Sequence, residues 1–421
     1  MDYLVLTNWK NILGPGILFA ATAIGVSHLV QSTKAGALFG FSMIGFIALA
    51  NLLKYPFFEY GSRYAAATGE SIIKGYYKLH KWWLYAYLAI SVVSMLFVTA
   101  AVGAVTIGFM ENLFGLTKLT GIPNFTHYIL FFGCTLLLIF GRFNVMEKLI
   151  KLLGLVLLVT TILAFFAALF KGPSAGSEVD MFPALSGDGW AFLLPLMGWM
   201  PTAIDLSTWN SLWTVEKVKQ SGYKSSVKEV TREFGLGYWI AAILAFLFMT
   251  MGALLVYGTN IEVPSSGVAF SSFVISLYTQ SIGEWSTYII SIAAFSIMFS
   301  TFLTVIDGFS RALDASVSLA VGENSQRKFL PGLSKWMPAV VAVGGLGLIL
   351  AYQGDKDSFS LIVNSATTLS FVIAPLFAIL NFRLVRADKI GKENTPGIFL
   401  KVVSWIGIFY LLAFLIWFLL Y

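Results

Sequence analysis

Long apolar runs separated by short polar connections occupy the chain from residue 13 almost to its end. A transmembrane helix needs about 20 mostly apolar residues, and reading for such runs gives about eleven candidates. They fall at 13–33, 41–66, 84–112, 127–141, 147–171, 190–215, 234–257, 285–318, 336–352, 359–382 and 398–420. The runs are continuous and show no alternation of lipid-facing and lumen-facing residues, so a helical bundle is expected rather than a β-barrel. Basic residues alternate between connections. Lys10 precedes the first run. Lys74, Lys78 and Lys81 lie in the second connection, Arg142 and Lys148 in the fourth, and Lys217, Lys219, Lys224, Lys228 and Arg232 in the sixth. The eighth holds Arg327, Lys328 and Lys335, and the tenth holds Arg383, Arg386, Lys389 and Lys392. The odd connections are poor in bases: the fifth carries Glu178, Asp180 and Asp188, the seventh Glu262 and Glu284, and the ninth Asp355, Lys356 and Asp357. This pattern predicts a cytoplasmic N-terminus and an extracytoplasmic C-terminus.

Composition sharpens the class. Of 421 residues, 58% are hydrophobic and 11% charged, against about 25% charged in an average soluble domain. The mean hydropathy is +0.82. A soluble enzyme, a nucleic-acid binder and a disordered chain are all excluded, and the lipid bilayer is the expected solvent. The pI near 9.1 reflects bases in loops rather than a polyanionic partner. One cysteine, Cys134, rules out a disulfide framework. Residues 1–10 run into the first span without a cleavable motif, so no signal peptide is expected. No phosphate loop, zinc motif or Ser-His-Asp pattern occurs, so neither enzymatic activity nor a cofactor is expected. Short loops and the lack of a targeting signal suggest a prokaryotic plasma (inner) membrane. Nothing in the sequence speaks to oligomeric state.

With an odd number of spans, spans one to five and six to ten can form two halves of opposite orientation. The expected division of this single transmembrane domain, 1–421, is 13–171, 190–382 and an additional peripheral helix, 398–420. Inverted repeats of this kind recur in secondary transporters, with the site where broken helices meet at mid-membrane. Thr22-Ala23-Ile24-Gly25-Val26-Ser27 in span one is echoed by Thr202-Ala203-Ile204-Asp205-Leu206-Ser207 in span six. Span one also carries Gly14-Pro15-Gly16 and the central Gly25, and span six carries Gly198 and Pro201. Pro removes a backbone donor and Gly lowers helix propensity. Each span alone reads first as a kinked packing helix; both together, at equivalent places, predict a broken-helix site.

Charged residues deep in a membrane carry a default functional reading. Glu59 and Arg63 are four apart, as are Asp307 and Arg311, so each pair can meet on one helix face as a structural or gating ion pair. Lys54 has no acid three or four positions away. It either snorkels, pairs with Asp205 or another distant acid, or meets a negatively charged substrate. Asp205, four residues past Pro201, falls where the chain should unwind. His28 follows the Gly25 break and is read either as a packing residue or as a proton or substrate contact. Ser27, Ser207, Thr202 and Gln31 would add neutral polar groups around the same cavity, and Met200 is a possible ligand.

Several short motifs, in order, resemble one family. Gly14-Pro15-Gly16-Ile17-Leu18, Ala50-Asn51-Leu52, Ala67-Thr68-Gly69, Arg142-Phe143-Asn144-Val145-Met146-Glu147 and Met200-Pro201 are similar to motifs of the Nramp family of divalent-metal transporters. The resemblance implies the LeuT-type fold of the APC superfamily, all-α, with a 5+5 inverted repeat and alternating access around broken spans one and six. The metal site departs from it. The family's Asp-Pro-Gly-Asn falls on Gly25-Val26-Ser27-His28, its Met-Pro-His on Met200-Pro201-Thr202, and a second family histidine on Ser207. The family's acids in span three have no counterpart between Ala89 and Gly108.

A transition metal needs imidazole, carboxylate or thioether ligands, and magnesium usually one or two carboxylates; Asp205 is the one carboxylate near this centre. With the acids gone and Lys54, His28, small hydroxyls and half-helix N-termini remaining, the expectation is a secondary transporter of small inorganic anions, bicarbonate above all, coupled to Na⁺ or H⁺. The expected substrate-binding residues are Gly25, Val26, Ser27, His28, Lys54, Met200, Thr202, Asp205 and Ser207, with Asp205 and His28 serving a coupling ion and no resident metal. A divalent cation resembling manganese or magnesium is the first alternative cargo, and a small organic solute such as an amino acid stays open.

Overall fold

The computed structural model describes residues 14–140, 143–175, 179–185, 187–322, 332–354 and 357–420, without the side chains of 143–151 and 153. Lys10, Arg142, Lys148, Glu178, Arg327, Lys328, Asp355 and Lys356, used above for orientation, fall outside these residues or among those side chains.

Helices follow one another in the order α1 (Pro15–Ala23), a π-helical turn at Ser27–Ser32, α2 (Thr33–Phe39), α3 (Ile44–Thr68), α4 (Ile72–Leu79) and α5 (Lys81–Phe114). After these come α6 (Phe125–Phe140), α7 (Phe143–Lys171), α8 (Gly187–Gly198), α9 (Leu206–Ser221) and α10 (Val227–Leu255). The chain ends with α11 (Gly267–Ile282), α12 (Thr287–Val321), α13 (Leu333–Ala351), α14 (Ser358–Leu384) and α15 (Ile398–Leu420). No strand occurs among the described residues. Seven of these helices are long and apolar enough to cross a bilayer, and the bent pair of 15–23 with 27–39 counts as an eighth. The other three expected spans are weaker for identifiable reasons. Helix α3 carries Lys54, Glu59 and Arg63, α6 is only 16 residues long, and α8 with α9 is interrupted.

Two elements differ from the expectation. The seventh connection is not a plain loop: it contains α11, whose Phe270, Val274, Leu277 and Tyr278 are buried. Those positions recur at helical spacing, and Tyr278 reaches Thr161 through an O···O contact of 2.8 Å. The ammonium of Lys34 stands 5.3 Å from the Phe270 ring centre. The second connection likewise folds as α4, with Ser71 accepting the Lys74 N–H at its start.

Packing around the first span is tight. Between lipid-embedded helices the hydrophobic effect gives little drive, so small residues that admit close backbone approach matter most. A Cβ added at Gly36 would lie 1.9 Å from the Met249 carbonyl oxygen, and one at Gly252 would lie 2.4 Å from that of Thr33. Helices α2 and α10 therefore touch backbone to backbone through facing glycines. Nearer the other end, Phe19 packs edge-on against Phe58 and Phe234 at 5.2 and 5.0 Å. The Tyr238 hydroxyl donates to the Asn51 carbonyl at 2.6 Å. The buried Glu233 carboxylate accepts the N–H groups of Gly14, Gly16 and Ile17, which satisfies the free donors at the start of α1.

Candidate functional site: two broken spans around a small cavity

Helix α1 stops at Ala23 and the span bends by 41° before resuming at Ser27. Gly25 N–H donates to Ala23 at 2.9 Å, and the Gly25 carbonyl accepts from His28 and Leu29 at 3.1 and 2.9 Å. The carbonyls freed by this break are met from outside. Thr301 on α12 donates to Ala21 at 2.9 Å and approaches Ile24 at 3.4 Å. A Cβ at Gly25 would lie 2.7 Å from Thr301 Cγ2, so the absence of a side chain there permits the approach.

Span six breaks more widely. Helix α8 ends at Gly198 and α9 begins at Leu206, with a cis Met200–Pro201 bond between them. The carbonyls at the end of α8 converge on one group. Lys54 Nζ donates to Met197, Gly198 and Thr202 at 3.0, 3.0 and 2.9 Å. An ammonium has three donors and no acceptor, so all three are used within the protein. Lys54 thus stands as a tethered cation at the negative end of a half-helix. Asp205 precedes α9; its carbonyl accepts the Thr208 N–H at 2.9 Å, while its carboxylate Oδ1 is buried without a hydrogen bond among the described residues. Lys54 and Asp205 also interact electrostatically across the break.

Between the two breaks lies a cavity of about 20 Å³, lined by Thr22, Val26, Ser27, Thr202, Thr301 and Trp199 among others. As closed here it has room for about one water molecule. No charged side chain lines it. Val26 and Ser27, at the start of the resumed helix, are among the lining residues, and a helix start carries N–H groups without an intrahelical acceptor. Thr22, Ser27 and Thr301 donate their hydroxyls to backbone carbonyls, at 2.7, 2.6 and 2.9 Å.

Of the residues expected at the site, Val26, Ser27 and Thr202 line this cavity. Gly25 packs beneath Thr301 rather than facing it. His28 turns toward α10: its Nε2 donates to the Ala241 carbonyl at 2.7 Å, and its Nδ1 lies 2.7 Å from Ser27 Oγ. Ser207 accepts from Asn381 at 2.9 Å, in a buried joint that also ties Asn381 to the Phe57 carbonyl. Met200 is fully buried outside the lining, as are Lys54 and Asp205. Gln31 is buried with both amide atoms unpartnered among the described residues. The expected ion pairs do form. Arg63 Nε meets Glu59 at 2.9 Å and Arg63 also donates to the Asn394 carbonyl at 2.7 Å. Arg311 meets Asp307 at 2.8 Å, and Asp307 also accepts from the Trp213 indole at 3.1 Å.

The sequence reading missed Thr301, Trp199, Val98, Val102 and Val305 as lining residues. A signal existed for the first. Ser296, Ser300 and Thr304 recur every fourth residue of span eight, with Thr301 beside them, and form an unusually polar stripe in an apolar helix. No three His, Cys, Asp or Glu side chains lie close enough to hold a metal ion among the described residues.

Two discontinuous helices facing each other across an all-helical bundle define the LeuT-type transporter fold. The solved structures agree. A manganese transporter of Eremococcus coleocola aligns with a TM-score of 0.71 over 97% of this chain and 87% of that one, at 14% identity. MhsT in complex with L-phenylalanine aligns at 0.58, covering 95% and 98%, at 12% identity. The nucleobase-cation symporter Mhp1 aligns at 0.55, covering 96% and 91%, at 15% identity. The family model described as natural resistance-associated macrophage protein-like matches residues 16–421, and the chain belongs to this Nramp family. An uncharacterized protein of Pasteurella multocida is 34% identical over 407 residues, 96% of this chain and 90% of that one.

Proposed function

We propose that this Nramp-family transporter carries a small inorganic anion, bicarbonate above all, by alternating access around the two breaks. The observation that supports this reading is the cavity lining: Val26 and Ser27 at a helix start, with Thr22, Thr202 and Thr301, and no carboxylate. A helix N-terminus favours anions through its free N–H groups and dipole. The carbonyls that could draw a cation to span six are taken up by Lys54. Lys54 then acts on the cargo as a fixed positive charge behind the cavity wall rather than as a direct ligand. Opening of the cavity would turn Ser27 and Thr22 toward the cargo. The two halves, 13–171 and 190–382, are the moving units of this reading, with the N-terminus cytoplasmic.

The unpartnered Asp205 Oδ1 supports a coupling role, as the acceptor of Na⁺ or of a proton. Cation cargo is the second reading, with Asp205, Met200 and backbone carbonyls as ligands. The Eremococcus relative is named a manganese transporter; this chain lacks that family's acid in span one. Uptake of radiolabelled bicarbonate into proteoliposomes, with and without a Na⁺ gradient, tests the proposal. Accumulation above empty liposomes is expected. No uptake from a preparation that transports another solute, or saturable heat on titration with manganese or magnesium, overturns it.

A further inference from the structure

A second cavity lies far from the breaks, at one end of the bundle, where the end of α14 meets the start of α15. Its volume is about 1010 Å³. Four cations line it: Arg383 in the last turn of α14, Arg386 and Lys392 in the connection, and Lys401 in the first turn of α15. No acidic side chain does. Nearby, Asp388 stands 3.6 Å from Arg386 and 3.5 Å from Lys389, and Glu393 accepts from Asn394 at 3.2 Å. Arg383, Lys392 and Lys401 have no ion pair with an acid among the described residues, and all four cations are exposed.

The rest of the lining changes character with depth. Phe382 and Ile379 lie two and five residues inside the end of α14, and Trp405, Ile408 and Leu412 continue from Lys401 along a single face of α15. At a rise of about 1.5 Å per residue, Lys401 to Leu412 spans roughly 16 Å. The Trp405 ring meets Phe382 edge-on at 5.4 Å yet stays 64% exposed. An indole that is apolar on its face and polar at its edge suits the level of lipid headgroups. The trough is therefore cationic at its mouth and apolar along the membrane direction.

We propose that this trough is a binding site for an anionic glycerophospholipid, the phosphate held by Arg383, Arg386, Lys392 and Lys401 and one acyl chain lying along Ile379, Ile408 and Leu412. A soluble phosphate would use the mouth and leave the apolar length unfilled. Basic pockets between transmembrane helices take acidic headgroups for the same reason.

Native mass spectrometry of the full chain, released from micelles doped with phosphatidylglycerol or phosphatidylcholine, reads the site directly. Phosphatidylglycerol adducts should persist to higher activation energy than phosphatidylcholine adducts. The double variant R383Q/K401Q should weaken phosphatidylglycerol retention about tenfold. K224Q/K228Q, which removes the same charge from another loop, should leave it unchanged and controls for net charge. Thermal unfolding of both variants checks that each is folded; if R383Q/K401Q is not, the single variant Lys401→Gln is read instead and should show a smaller loss in the same direction. Equal retention of both lipids, no effect of the Arg383 and Lys401 changes, or displacement of the lipid by millimolar glycerol phosphate would each overturn the proposal.

Discussion

The ammonium of Lys54 lies 3.0 Å from the carbonyl oxygen of Gly198, the last residue of the helix before the span-six break. Two further carbonyls complete its coordination. Substituting Lys54→Ala takes the ammonium from three carbonyls, of which Met197 keeps a longer bond from the Met200 N–H at 3.5 Å, at about 1–3 kcal/mol for each buried group left unmade. The expected outcome is a melting temperature lowered by several degrees and loss of bicarbonate uptake. Thermal unfolding in detergent and proteoliposome uptake measure the two separately. Full uptake by a folded Lys54→Ala protein would contradict a role for this charge.

The coupling role proposed for Asp205 predicts a loss of coupling rather than of folding. Asparagine matches its shape, and the carboxylate Oδ1 has no hydrogen bond to lose. Asp205→Asn should keep the protein folded and abolish any stimulation of uptake by an inward Na⁺ or proton gradient. Persistence of that stimulation would remove Asp205 from the coupling role.

Gly25 and Thr301 should behave as a coupled pair. Gly25→Ala places a methyl group 2.7 Å from Thr301 Cγ2, and overpacking of this kind costs about 1–3 kcal/mol. The double variant Gly25→Ala/Thr301→Ser removes that methyl and keeps the hydroxyl. It should recover part of the lost stability and uptake, which a double-mutant cycle reads as positive coupling. Additive losses would show that the two residues do not constrain one another.

The two intramembrane ion pairs should differ in weight. The Glu59 side chain is 3% exposed and its Arg63 partner 13%, whereas Asp307 and Arg311 are 25% and 44% exposed. Arg63→Ala strands a buried carboxylate and should cost about 3–5 kcal/mol. The paired change Glu59→Gln/Arg63→Met should cost clearly less. Arg311→Ala should cost about 0.2–1 kcal/mol, as exposed pairs do. Chemical or thermal unfolding of the three variants ranks them, and equal losses would refute the distinction.

Hydropathy made most of the fold legible, because lipid demands long apolar helices and tolerates little else. It failed at α11, where Ser271, Ser272 and Ser276 interrupt a helix of only 16 residues that packs against its neighbours. The breaks were legible from Gly25, Gly198 and Pro201. The direction of the side chains around them was not. In a bundle apolar on nearly every face, periodicity does not tell which way His28, Ser207 or Met200 turns, and none of the three lines the cavity. The partners of Lys54 were invisible for a further reason: they are backbone carbonyls, which every residue possesses.

The facing glycines Gly36 and Gly252 have a kinetic implication. Where α2 meets α10 there, neither residue contributes a side chain to interlock, and a residue without one has no rotamer freedom to lose on packing. Separating such surfaces requires no rotamer change at the contact itself. Any sliding of α2 against α10 is therefore free of side-chain rearrangement at Gly36 and Gly252 themselves.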